Sequence, residues 1–326
     1  MSELATRYLG LELRNPLIAA SSGLTARAEG VERAVDAGVG AVVLKSLYEE
    51  QLREEGAELQ DSLYDGAHPE SQAYADADLS LTYGTRTMVE LIEKTRDLGV
   101  SIIASISCLS GKWWPQYAGE AQAAGAHALE LNLSMGAIFA GAEPAELAAH
   151  YRRILASVVE RVEIPVALKL GPHGVSERLI MDLLDDGAAG IVLFHRPLGP
   201  RIDIENRELR YDLLPSHPVE LGRPLRWIGN LAGKVPGSLC GNTGVHSVEG
   251  LVSLLLAGAD AVQAASVFYL KGLGFVKELL AGLEDWMERH DYDKVEDFVG
   301  LLSEERAPRP EAYERTQYLR SYLGHD

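Results

Sequence analysis

The chain has 326 residues, long for one ordinary domain but within the range of a closed β/α barrel that carries insertions. Thirty Lys and Arg against 48 Asp and Glu leave a formal net charge of −18, which works against nucleic-acid backbones and anionic membranes, because such binding comes from clustered cations. No apolar run approaches the roughly 20 residues of a bilayer span, and residues 1–15 lack a signal peptide's basic end and apolar stretch, so a cytoplasmic protein without membrane or nucleic-acid partners is expected.

Hydrophobic residues make up 47% of the chain and charged ones 24%, a composition able to build one large core. The two cysteines, Cys108 and Cys240, have no metal-ligand spacing and read as buried, reduced thiols. No metal site is expected.

Taken in chain order, Tyr8 to Arg14 reads as a hairpin strand plugging a barrel floor. Eight runs of β-branched and small apolar residues follow, each leading into a helical pattern, the signature of parallel strands buried on both faces. They are Asn15 to Ser22 (NPLIAASS), Ala41 to Leu47 (AVVLKSL), Val100 to Cys108 (VSIIASISC), His127 to Ser134 (HALELNLS), Pro165 to Gly171 (PVALKLG), Gly190 to His195 (GIVLFH), Ser238 to Asn242 (SLCGN) and Ala261 to Ser266 (AVQAAS). Between them the apolar spacing predicts helices over Thr25 to Asp36, Thr85 to Leu98, Glu143 to Val162, Ser176 to Asp186 and Ser247 to Ala257. Eight such units argue for a single-domain (β/α)8 TIM barrel. Two stretches break the rhythm, the acidic Tyr48 to Leu81 after strand two and the proline-rich Arg196 to Pro224 after strand six. Loops after strands form the functional face of such barrels, so both read as lid insertions, with decorative surface loops as the alternative.

Polar side chains at strand ends are the informative ones, since packing does not call for them there. Lys45-Ser46 ends strand two, Asn132 ends the core of strand four, Lys169 ends strand five and His195-Arg196 ends strand six. One strand-end lysine is commonly a snorkelling surface residue; two beside an asparagine point to a ligand that carries or develops negative charge. After strand seven the turn Gly241-Asn242-Thr243-Gly244 opens a helix, and strand eight ends in Ala265-Ser266. That location suits a phosphate, although GNTG alone is also a plain turn. The small run Ala19-Ala20-Ser21-Ser22-Gly23 lets a flat ring lie against bare backbone, and equally suits a helix cap. His195 has the residue type of an acid or base and Arg196 that of a carboxylate clamp, though a strand-end histidine is often only structural. Trp113-Trp114, after strand three, reads as a possible substrate stack or as packing.

These motifs, in this order and over nearly the whole chain, resemble the FMN-binding barrel of the dihydroorotate dehydrogenases, above all the soluble class 1 enzymes. The likeness runs from YLGLELRNPLIAASSG through VVLKS, ASIS, ALELNLS, PVALKL and TGVHSVEG to LLLAGADAVQAAS and DYDKVEDFVGLL. It implies an FMN oxidoreductase acting on a small dihydropyrimidine-like or acidic substrate, with an unidentified electron acceptor, a homodimeric state and a place in pyrimidine metabolism. Carried over by residue, Ser22, Gly23, Lys45, Ser46, Asn132 and Lys169 match flavin-ring or ribityl contacts. Thr243 and Gly244, with Ala265 and Ser266, match phosphate-binding turns. Lys45, Asn132, Lys169 and His195 are the catalytic candidates, and Ser21 joins the cofactor set.

The substrate side departs from the family. Its strand-four motif continues with a Cys or Ser that takes a substrate proton and then an asparagine that holds substrate; here Met135 and Ala137 stand in those places. A thioether has no proton to exchange and negligible basicity. Two alternatives therefore stay open: a degenerate FMN-binding subunit, and a flavin-free phosphate-binding barrel lyase or isomerase.

Overall fold

In the computed structural model the described residues are 3–49, 85–108, 111–133, 143–196, 201–210 and 215–323. Eight parallel strands close into a barrel: Leu17–Ala19, Ala41–Val43, Ser101–Ser107, Ala128–Leu133, Val166–Leu170, Gly190–Leu193, Ser238–Asn242 and Ala261–Ala264. Each pairs with the next in sequence, and the eighth pairs with the first through Val262 and Leu17. The second strand is interrupted after Val43 and resumes only at Leu47–Tyr48, against Ile106 and Ser107 of the third. Every strand is shorter than its apolar run or matches it, because a strand residue needs a ladder partner as well as an apolar side chain.

The core has the two shells that a barrel dictates. Outward-facing Leu, Ile and Val pack beneath helices such as Trp113–Ala124, Pro144–Val159 and Val248–Ala257. Inward, Ile18, Val43, Ile103, Ala128, Ala167, Val192, Cys240 and Ala261 fill the lower barrel. The antiparallel hairpin Thr6–Tyr8 with Leu11–Leu13 closes its floor, driving Tyr8, Leu9 and Leu13 into that inner cluster as the opening segment predicts. Small inward residues leave room for this plug. Both cysteines are buried, and burial pushes the Cys240 thiol far up, out of any nucleophilic range.

Gly125 (φ 99°) and Gly258 (φ 118°) sit in the left-handed region that closes their helices. The first helix departs from its predicted span. Ser22 caps a short 3₁₀ turn, Gly23–Thr25, and the α-helix begins only at Ala28. Ser22 and Thr25 satisfy each other's backbone in a capping box, which ends the turn locally. Trp113 and Trp114 are buried in the core rather than stacked at a mouth, since their helix turns them onto the barrel wall.

Of the insertion after strand two, only Tyr48 and Glu49 are described; its remainder lies outside the described residues. The insertion after strand six holds an exposed hairpin, Arg201–Asp203 with Glu208–Arg210, and a 3₁₀ turn, Pro218–Leu221, leading into helix Gly222–Leu231. The segment Val267 to Phe275 buries Val267 and Phe268 and exposes Tyr269 and Leu270.

Asp260, just before strand eight at the barrel floor, accepts the Leu239 N–H at 2.8 Å. Burial pushes its carboxyl up to about 6, with that hydrogen bond pulling the other way. The folded chain therefore takes up a proton that the unfolded chain does not, so stability rises as pH falls through 6 and towards 4. A shift of about two units is at most about 3 kcal/mol. Asp260→Asn keeps an acceptor for Leu239 and removes the buried charge. It is expected to raise the Tm at pH 8, with the gain shrinking below pH 5; equal melting gains at both pH values would contradict this assignment.

Candidate active site

At the C-terminal ends of the strands lies a cavity of about 380 Å³. Its walls come from Ala20 to Gly23, Lys169, His195, Asn242 to Val245 and Gln263 to Ser266, with Tyr48, Tyr269, Arg196, Pro215 and Ser216 at the rim. The volume lies within the usual range of small-molecule sites.

Lys169 is buried at the cavity floor. Its Nζ donates to Gln263 Oε1 at 2.8 Å and to Glu130 Oε1 at 3.3 Å, and Gln263 Nε2 donates to the second oxygen of Glu130. Three strands thus contribute one closed polar triad inside the barrel. Glu130 and Gln263 were not among the sequence candidates. The signal for them was the twofold alternation, which puts Glu130 on the same face as Asn132 and Ala128, and Gln263 on that of Ala261.

Asn132 pairs in register with Lys169. Its amide is buried, its Nδ2 donates to the Tyr48 hydroxyl at 3.4 Å, and its Oδ1 has no partner among the described residues. A buried amide atom left unpaired costs about 1–3 kcal/mol, a cost that a bound water or ligand group would offset.

Lys45 sits differently from Lys169. It is exposed and is not among the residues that line the cavity. The interruption of strand two explains this. Ser46 turns inward, where its Oγ lies 2.7 Å from Ser105 Oγ and 3.0 Å from Ser21 Oγ, while its N–H donates to Ser21 Oγ. Those contacts also occupy the Ser46 hydroxyl. Ser21, Ser22 and Gly23 do line the cavity, and Tyr269 crosses them so closely that a Cβ on Gly23 would lie 2.7 Å from its hydroxyl.

His195 lines the cavity beside Lys169. Burial, and then the Lys169 charge, push its imidazole down to about 4, so at pH 7 it is neutral and accepts or donates hydrogen bonds without charge. Arg196 is held by Glu220 at 3.2 Å.

At the opposite end, Thr243 (φ 84°) and Gly244 (φ 80°) form a left-handed turn. The Thr243 hydroxyl and the Asn242 amide both donate to Phe194 O, anchoring that turn to strand six. The N–H groups of Gly244 and Val245 have no acceptor among the described residues. Ala265 and Ser266 border the same end, and Ser266 Oγ accepts the Ser216 N–H at 2.8 Å. Ser134, Met135 and Ala137 lie outside the described residues.

The fold and the cavity together define a (β/α)8 barrel with a cationic, polar floor and a left-handed turn at the far end of its mouth. Along about nine-tenths of its length the chain is similar to the dihydroorotate dehydrogenases. It is 24% identical to the dihydroorotate dehydrogenase B (NAD(+)) catalytic subunit of Thermoplasma volcanium, over 92% of this chain and 99% of that one. The corresponding subunits of Pyrococcus abyssi (26%; 91% and 98% covered) and Methanosarcina acetivorans (28%; 90% and 94% covered) align similarly. No family model matches. Among the described residues no helix is long and apolar enough to cross a membrane, and no group of three or more His, Cys, Asp or Glu is placed to hold a metal.

Proposed function

We propose that the chain is one FMN-binding domain, residues 1–326, working as an oxidoreductase of the dihydroorotate dehydrogenase type in the cytoplasm. The observation that carries this reading is the buried Lys169, in register with Asn132, at one end of a cavity whose other end is the Thr243-Gly244 turn. FMN would supply hydride acceptance and donation. A flat ring suits the bare wall of Ser21, Ser22 and Gly23; its phosphate suits the Gly244 and Val245 N–H groups, with Ala265 and Ser266 alongside. Lys169 holds a positive charge where negative charge accumulates on reduction, and Asn132 supplies an amide to ring heteroatoms. Lys45, exposed and outside the cavity lining, stays a cofactor and catalytic candidate on the resemblance alone. Neutral His195 hydrogen-bonds a small acidic or dihydropyrimidine-like substrate. The optical spectrum of the purified protein tests the reading: flavin bands are expected, and a colourless protein that cannot be reconstituted with FMN sinks it.

The relatives' description as catalytic subunits supports an electron-accepting partner, either a separate polypeptide or a small acceptor. A homodimer is expected by analogy and is checked by sedimentation.

A second reading, a subunit that binds FMN without turnover, is favoured by Met135 and Ala137. Oxidising dihydroorotate requires loss of a carbon-bound proton as well as hydride transfer, and positioned proton transfer contributes about 10²–10⁴-fold. Dihydroorotate is therefore expected to reduce the parent's flavin slowly and Met135→Cys faster. Brisk turnover by the parent would mean that another group is the base.

A further inference from the structure

The interior of a barrel is ordinarily filled by apolar side chains, and the lower layer here obeys that rule. One layer higher it is broken by a carboxylate, an ammonium and a carboxamide, all buried. Stability alone does not account for them: a buried ion pair replaced by well-packed apolar residues is often neutral or stabilising. The triad is asymmetric. Lys169 and Gln263 line the cavity; Glu130 does not, and lies behind the other two. Its two oxygens are both committed, one to Lys169 and one to Gln263.

We propose that Glu130 is a positioning residue that, with Gln263, pins the Lys169 ammonium at the cavity floor and sets the net charge the floor presents to a bound flavin ring. This rests on the FMN reading above. Gln263 Oε1, at 2.8 Å, holds the ammonium more closely than Glu130 does, so neutralising the carboxylate leaves the cation in place and changes chiefly the field. In a site shielded from water, one elementary charge a few ångströms from the ring is a strong lever. Glu130 thus tempers a cation that would otherwise over-stabilise the reduced, anionic ring and slow its reoxidation.

Sulfite provides the test, because it adds reversibly to flavin N5 and its affinity reports positive charge beside the ring, independently of turnover. Titration of the purified holoprotein, followed by bleaching of the flavin band, is expected to show about tenfold tighter sulfite binding in Glu130→Gln and about tenfold weaker binding in Lys169→Met. The double variant Glu130→Gln/Lys169→Met loses both charges together and is expected to bind sulfite within about threefold of the parent. It also serves if Glu130→Gln alone does not fold. A Glu130→Gln protein that binds sulfite as the parent does, or more weakly, overturns the assignment, as does a double variant indistinguishable from Lys169→Met. A parent protein without flavin defeats the FMN reading; a flavin-loaded parent with an unresponsive Glu130 defeats this inference alone.

Discussion

Lys169→Met is expected to slow reduction of the bound flavin by on the order of 10²-fold, the usual loss when one preorganised stabilising group is removed from a reacting centre. Lys169 lines the cavity, whereas Lys45 is exposed and does not, so Lys45→Met is expected to have the smaller effect. The substitution also strands a buried carboxylate. Removing one partner of a buried pair costs roughly 3–5 kcal/mol, so a lowered Tm accompanies the lost rate in the single variant. Combining it with Glu130→Gln removes the stranded charge and returns the floor to its parental net charge, so the Tm and much of the reduction rate should recover together. His195 supplies an independent readout. Loss of the Lys169 charge removes the second of the two causes that depress its imidazole, so its titration should move up from about 4 while burial still holds it below an ordinary histidine. Stopped-flow reduction and an NMR titration of His195 measure these separately. Parent-rate reduction in Lys169→Met would remove this lysine from the flavin's surroundings.

The second large effect is expected at Gly244. A Cβ there would lie 2.4 Å from Leu221 N and 2.8 Å from Leu221 Cα, contacts that neither backbone can relieve by a rotamer change. The position also has φ 80°, a region that costs an L-residue roughly 1–2 kcal/mol. Gly244→Ala should therefore displace the turn or the 3₁₀ segment against it, loosening FMN at least tenfold with a modest fall in Tm. Gly244→Asp adds a negative charge beside the proposed phosphate and should leave the purified protein essentially free of flavin. The ratio of flavin to protein absorbance, read beside a thermal melt, separates lost cofactor from lost fold. Stoichiometric FMN in a folded Gly244→Asp protein would move the phosphate elsewhere.

The barrel was legible because its strands are buried on both faces. Runs such as AVVLKSL, VSIIASISC and PVALKLG have no solvent side to interrupt them, and helices such as Ala28–Ala37 and Trp113–Ala124, each closed by a glycine, separate successive runs. The strand-end candidates Asn132, Lys169 and His195 were legible for the complementary reason that polar residues ending such runs have no packing role. Of the inner triad only Lys169 was picked out, since Glu130 and Gln263 sit in mid-strand, where alternation gives the face a polar residue takes but not the partners it meets there.

What the amino-acid sequence determined by itself is the periodicity: eight strand–helix units, a plugged floor, and a set of polar groups at one end of the strands. Alternation and capping are local, so residues close in the chain suffice to specify them. Tertiary structure decided which of those groups meet. Lys169 joins Glu130 and Gln263, residues 39 and 94 positions away, because barrel closure brings strands four, five and eight around one axis. Lys45 was left exposed where strand two is interrupted and Ser46 turns inward onto Ser21 and onto Ser105, 59 residues away. Burial then decided protonation, making His195 neutral at pH 7 and raising Asp260, because desolvation depends on what surrounds a group in space and not on its neighbours in the chain.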